Sequence, residues 1–425
     1  MHPQKLEAFA ARLDEFVSLM ESSEHLELVS QSRTRRILHE GITLQLSAVT
    51  GPVFENMRQK MLSEPTWTAK YSERTLEAEL SRAIIARQSG SSAREYITQM
   101  ALRLDATQPR HRVWVPISGV SLAVDTNFSF GRVELVQMTD AIFETEVAAR
   151  LPSTVTVQGA EDIFLYTVEI ESDLDHAALY AVYTIDADAL KATEVVDDFV
   201  GPVADYLQFC LADTADRYSS IVDYKGRYRR RNINTALVVD EQSGQAQLLA
   251  LDERTLVRMT INQARLAILS QQGITALAPV FGRNNVEAET EYTQLIFRAV
   301  RVFAEGERST SLRQRILSYV TACEVFFAEK GDVTRTVTEG VAYIIGTDYE
   351  GRKAVLKAMR DMYDVRSSAT HTGLEPSNVA LYRRQVLYVL RHMIAVRKND
   401  PERFQTKADI MAWIDRQRFS GETVP

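Results

Sequence analysis

Cysteine is scarce: Cys210 and Cys323 are the only two in 425 residues, which excludes a disulfide-stapled scaffold. They lie far apart in apolar, helix-like surroundings, as buried thiols do, so a reducing cytoplasm is the expected compartment. No apolar run approaches the roughly 18–20 residues that a membrane span requires, so no membrane partner is expected. The start, Met1-His2-Pro3-Gln4-Lys5, leads into an amphipathic pattern rather than a signal segment. Residues 109–286 lack a glycine-rich phosphate loop and an internal repeat, and no cluster of carboxylates or His/Cys ligands suggests a metal site. Neither a cofactor nor a metal is therefore expected. Nor is there an excess of positive charge. With 49 Lys and Arg against 57 Asp and Glu the net charge is −8, which argues against indiscriminate binding to nucleic acid.

What is present is ordinary globular composition, 45% hydrophobic and 25% charged, in a chain long enough for two or three cores. Residues 1–108 read mostly as helix. Leu6, Phe9, Leu13, Phe16, Val17 and Met20 recur at helical spacing, and similar stripes cover Leu76–Ile85 and Tyr96–Leu104. After Pro109 short β-branched runs take over: Val113–Pro116, Val120–Val124, Val133–Val136, Thr154–Val157, Phe164–Ile170, Leu179–Ile185, Ala236–Val239 and Ala246–Leu251. Helices are expected among them at Glu194–Leu211 and Ile261–Leu269. Residues 109–286 thus read as an α+β sensor or regulatory domain.

Residues 287–425 read as an all-α bundle with helices near 288–305, 310–329, 333–346, 351–370, 377–398 and 406–417. Gly306, Gly331 and Gly346 stand at or just past the expected ends, and Pro376 and Pro401 precede new helices. The expected fold class is multidomain α and α+β: a helical N-terminal segment, an α+β middle domain and a C-terminal helical bundle. Charge divides the same way. Residues 287–425 carry 21 Lys and Arg against 19 Asp and Glu, a net of +2, whereas residues 1–286 carry 28 against 38, a net of −10.

The chemistry concentrates in Met362-Tyr363-Asp364-Val365-Arg366-Ser367-Ser368-Ala369-Thr370-His371-Thr372-Gly373. The apolar stripe Val355, Met359, Met362 calls for another core residue at position 366, and Arg366 stands there. A guanidinium on that face needs an anionic partner. The bland candidates are Asp361 and Glu324, and the bland role for His371 is a hydrogen-bonded histidine at a helix end. The alternative is a phosphate-holding arginine beside an imidazole that moves protons near neutral pH, the minimum needed to cleave RNA without a metal. Spacing alone does not decide. With 39 Arg and 7 His, an arginine four to six residues before a histidine arises about twice by chance, and Arg33 precedes His39 in the same way. Arg33–His39 reads as a charged helix face.

Context adds more. Ala322-Cys323-Glu324-Val325-Phe326, then Val341-Ala342-Tyr343-Ile344-Ile345-Gly346, then Tyr363-Asp364-Val365-Arg366-Ser367 ahead of His371 resemble, in order and spacing, the Apea-like branch of the HEPN domain family. The resemblance spans about residues 291–419. Two departures are Thr372 between His371 and Gly373, and Ser367 where many HEPN nucleases carry Asn, Asp or His. The resemblance implies a metal-independent endoribonuclease, with Arg366 on the phosphate and His371 moving protons. It implies Glu324 as the internal acid that orients Arg366, and a homodimer that brings two copies of the motif to one cleft. It further implies a bacterial anti-phage, abortive-infection or toxin effector, restrained until a protein or phage-derived trigger arrives. The alternative is a catalytically inactive HEPN protein that binds RNA or serves as a dimerisation module.

Geometry constrains the pair. Five residues of helix turn through about 140°, so Arg366 and His371 share a face only if the helix ends or bends between them. Ser367, Ser368 and Thr370 compete for backbone hydrogen bonds and make such an ending reasonable. The other solution is the symmetric dimer. Tyr363 suits core packing or stacking on a base. Ser367 and Ser368 could donate to phosphate. Outside this third, Lys225-Gly226-Arg227-Tyr228-Arg229-Arg230-Arg231-Asn232 could grip RNA through Arg227, Arg229, Arg230 and Arg231, or could be a charged hairpin edge.

Overall fold

The computed structural model describes residues 3–23, 35–39, 42–46, 49–106, 108, 110–123, 126, 128–145, 154–158, 165–169, 179–212, 221–222, 224, 235–239, 246–250, 259–271, 274–278, 280, 289–372 and 378–420. The chain is mostly helical with a small antiparallel sheet. It divides into two compact units, Met1–Val113 with Thr184–Val196, and Trp114–Tyr183 with Asp197–Pro425. The segment 109–286 therefore contributes to both.

The first unit packs α1 (Pro3–Ser23), α2 (Thr50–Leu62), α3 (Pro65–Thr68), α4 (Glu73–Gln88) and α5 (Ala93–Asp105) around one core. Phe9, Leu13, Phe16 and Val17 of α1 are buried in it, as their spacing predicts. Trp67 is fully buried, and its indole Nε1 donates to Asp105 at 2.7 Å. One stretch departs from the expectation. Arg35–His39 is a strand, β1, paired antiparallel with β2 (Ile42–Leu46), His39 opposite Ile42. It is not a charged helix face, and Arg33 lies outside the described residues. A strand-forming run two residues further on offered a backbone partner, and pairing overrode the local helical look. The short helix α7 (Ala189–Glu194) belongs to this unit too. Its cap Asp188 accepts from the backbone N–H of Lys191 and from that of Ser72.

The strands follow the β-branched runs: β3 (Arg110–Ile117), β4 (Val120–Leu122), β5 (Phe128–Phe130), β6 (Val133–Gln137), β7 (Thr154–Gln158), β8 (Leu165–Glu169), β9 (Leu179–Asp186), β10 (Thr235–Val239), β11 (Ala246–Ala250) and β12 (Met259–Ile261). One sheet has the order β3-β9-β6-β5, and β4 pairs in parallel with β12. The pairs β7–β8 and β10–β11 form separate antiparallel ribbons. Met138, Tyr180 and Val182 pack with Phe143 of α6 (Asp140–Phe143) on one face of the sheet.

The helical third holds α10 (Glu291–Arg308), α11 (Leu312–Phe327), α12 (Val333–Ile345), α13 (Tyr349–Thr372), α14 (Val379–Asn399) and α15 (Lys407–Ser420), after α8 (Val196–Ala212) and α9 (Gln263–Gln271). Thr290, Ser311 and Asp332 cap the first three with side-chain oxygens that accept backbone N–H bonds. Helix α11 is central and touches α10, α12, α13, α14 and α15. Its Ile316, Tyr319, Val320, Cys323, Phe326 and Phe327 are all buried.

Two glycines set the helix spacing. Gly340 of α12 sits so close to α11 that an added Cβ would stand 2.7 Å from the Phe327 ring. Gly306 is expected at a helix end, but α10 runs on to Arg308, and Gly306 packs against Ser318 instead of capping. Gly340→Ala should therefore lower stability by about 1–3 kcal/mol through overpacking, although Ala is normally worth about 1 kcal/mol over Gly in a helix. Thermal denaturation checks this, and a raised Tm would contradict so close an approach.

Helix α8 is buried on nearly every side and docks onto the bundle. Phe209 meets Phe303 edge to face. Asp205 pairs with Arg308 of α10 at 2.5 Å, and Arg308 Nε donates to the carbonyl of Val222. Arg383 of α14 donates to the carbonyl of Ala212 and to both carboxylate oxygens of Glu307, which also accepts from the Tyr319 hydroxyl. Buried charges persist only with such partners.

Candidate functional site

Three residues of the motif meet where α11 crosses α13. Arg366 Nη1 donates to Glu324 Oε1 at 3.0 Å, and the Tyr363 hydroxyl donates to the same oxygen at 3.1 Å. The Arg366 guanidinium also lies over the Tyr363 ring, 5.8 Å from its centroid. Of the two intramolecular partners the sequence offers Arg366, the structure selects Glu324, which fits the bland ion pair and the orienting acid of the resemblance alike. The reason is positional. Met359 and Met362 are wholly buried against the bundle, and Arg366, seven residues after Met359, inherits the same face. That face meets the central helix, on which Glu324 follows the buried Cys323. Asp361 is on the exposed side of α13.

Burial and the neighbouring Glu324 carboxylate push the Tyr363 hydroxyl well above its ordinary range, so it acts as a fixed donor. Burial drives the Cys323 thiol up to about 12, so it is an inert core residue. Arg366 keeps 34% of its side chain exposed, against 18% for Glu324. A guanidinium carries five N–H donors, and the bond to Glu324 engages Nη1. Tyr363 is only 8% exposed, which suits holding Arg366 better than stacking on a base. Ser367 and Ser368 are exposed on α13.

The expected ending before His371 does not occur. Helix α13 continues unbroken to Thr372. Ala369 is buried to 1% exposure, and this packing holds the last turns helical despite Ser367, Ser368 and Thr370. Position 371 is therefore turned about 140° from position 366 and displaced about 7.5 Å along the axis. It falls seven residues after Asp364 and eleven after Arg360, both on the exposed face. The His371 side chain itself lies outside the described residues, as do Arg227, Arg229, Arg230 and Arg231 with the rest of the basic run. Within one chain, Glu324, Tyr363 and Arg366 come together, and the backbone of His371 turns away from them.

Sequence reading overlooked one feature of this helix. Residues 351–360 carry Arg352, Lys353, Lys357 and Arg360 and no acid, and that run was the available signal. Among the described residues, no group of three or more His, Cys, Asp or Glu stands where it could hold a metal ion. No helix among them is long and apolar enough to cross a membrane. Compared with known proteins, the chain matches no family model, no curated protein and no solved structure.

Proposed function

We propose that the helical third is a metal-independent endoribonuclease of the HEPN type, using Arg366 and His371. The observation that carries this reading is the Glu324–Arg366–Tyr363 cluster. A cation is held in fixed orientation at a partly open point of an otherwise apolar crossing, beside a helix that leads directly to a histidine. RNA supplies its own nucleophile, the 2′-hydroxyl. Cleavage then needs a base for that proton, an acid for the leaving 5′ oxygen and positive charge on the phosphorane. Arg366 answers the last need. Glu324 and Tyr363 are positioning residues that keep the guanidinium aimed. Imidazole, with an ordinary pKa near 6.5, serves as base or acid.

Because positions 366 and 371 lie about 140° apart on one unbroken helix, the two groups are brought together by a second copy that supplies one of them. The reading thus includes a homodimer. The N-terminal region restrains or senses, and the role in defence against phage rests on family resemblance alone. The same turn of 140° also favours the second reading, an inactive HEPN-like module that binds RNA or a partner through this surface.

Incubating purified protein with RNA in EDTA separates the two. The expected result is cleavage to 2′,3′-cyclic phosphate and 5′-hydroxyl ends, with DNA of the same sequence spared. Cleavage of DNA, or cleavage that needs Mg²⁺, contradicts the mechanism. Binding without cleavage, by a dimer freed of restraint, supports the module.

Glu324→Gln keeps an acceptor for Tyr363 but removes the charge opposite Arg366. Activity should fall about tenfold, in line with the loss of a charge-assisted bond, and Glu324→Asp should rescue part of it. Equal activity in wild type and Glu324→Gln would remove Glu324 from the site.

A further inference from the structure

The outer face of α13 carries charge that the cluster on its inner face does not use. At about 100° per residue, Lys353, Lys357 and Arg360 fall within about 60° of one another, and position 371 falls inside the same sector. All three cations are exposed. Lys353 lies 6.0 Å from the Tyr349 ring. Asp361 and Asp364 follow Lys357 and Arg360 at the four-residue spacing that commonly forms helix ion pairs. Yet among the described residues neither Lys357 nor Arg360 is ion-paired. Other surface arginines of this third do find carboxylates: Arg301 pairs with Glu305, Arg335 with Asp332, and Arg418 with Asp415. Residues 351–360 are thus four cations without an acid, in a chain of net charge −8.

We propose that Lys353, Lys357 and Arg360 form a track for the phosphodiester backbone of single-stranded RNA, leading along α13 toward position 371. The proposal takes from the ribonuclease reading only the identity of the polyanion. Rises of about 6 Å and 4.5 Å separate the three cations along the axis, so they can neutralise successive phosphates rather than one. Phosphate contacts of this kind set register without reading bases. Asp361 and Asp364 stand between Arg360 and position 371 and repel a backbone that strays across them. They limit affinity, which suits an enzyme that must release its product.

The test uses the full chain and a fluorescein-labelled 20-nucleotide 2′-O-methyl RNA, which cannot be cleaved. Lys353→Gln/Lys357→Gln/Arg360→Gln should raise Kd on the order of tenfold or more at low salt. It should also reduce the slope of log K against log salt by about 2, since each single-strand phosphate contact contributes about 0.7. The control Arg301→Gln/Arg313→Gln/Arg335→Gln removes the same charge elsewhere on the bundle and should change Kd less than about threefold, the scale of a long-range charge effect. Asp361→Asn/Asp364→Asn should tighten binding. Equal losses in the two triple variants, an unchanged salt slope, or no RNA binding by the wild type overturns the track. Cleavage of natural RNA is scored separately. Normal cleavage with an unaltered triple variant sinks the track and leaves the ribonuclease reading standing. A weakened triple variant of a protein that never cleaves does the reverse.

Discussion

Mixed in equal amounts, Arg366→Ala and His371→Ala chains should recover about a quarter of wild-type RNA cleavage, although neither cleaves alone. His371→Ala by itself should lower the rate about 10²–10⁴-fold, the usual cost of losing a proton-transfer group. Arg366→Ala should lower it about 10²–10³-fold through lost charge stabilisation. The recovery follows from α13 being unbroken through both positions. If the two groups act across a two-fold interface, a mixed dimer holds one site with both groups and one with neither, and random exchange makes about half the dimers mixed. If they act within one chain, no mixture has an intact site and activity stays absent. Both variants should stay folded by circular dichroism, and for Arg366, whose loss strands Glu324, Arg366→Gln gives a second version of the experiment. His39→Ala should leave cleavage unchanged, and a loss there with His371→Ala still active would place the proton transfer at His39.

The largest stability effect is expected at Arg383. Its guanidinium meets Glu307, whose side chain is 2% exposed. Arg383→Ala removes the guanidinium that donates to both oxygens of this buried carboxylate, and should cost about 3–5 kcal/mol in denaturant unfolding. Adding Glu307→Gln to Arg383→Ala should return part of the loss, because a neutral amide is cheaper to bury than a carboxylate. A loss under about 1 kcal/mol for Arg383→Ala would mean that the pair is hydrated and does not clamp the bundle. Arg383 also donates to the carbonyl of Ala212 at the end of α8. The same substitution should therefore loosen α8, seen as faster amide exchange over Val196–Ala212.

Much of this was legible along the chain. The stripes, caps and glycines from Thr290 onward place six helices within a few residues of where they stand, because each signal is local. The β-branched runs after Pro109 place most strands for the same reason. The motif residues and the need of Arg366 for an acid could be read from one helical period. Three matters could not. The Arg35–His39 strand depended on a partner segment rather than its own propensity. The continuation of α13 past Ser367 and Ser368 depended on Ala369 meeting the core, which a local scan of hydroxyl residues cannot see. Periodicity left Asp361 and Glu324 both open as partners of Arg366, with only the resemblance pointing to Glu324, and the Glu307–Arg383 pair had no local signal; the two pairs join residues 42 and 76 positions apart. Sequence by itself thus determined most of the helices and strands and which residues could carry chemistry, since periodicity and capping act over one or two turns. Only the tertiary structure decided that Glu307 pairs with Arg383 and that the helix runs unbroken through positions 366 and 371, because those depend on packing between helices distant in the chain.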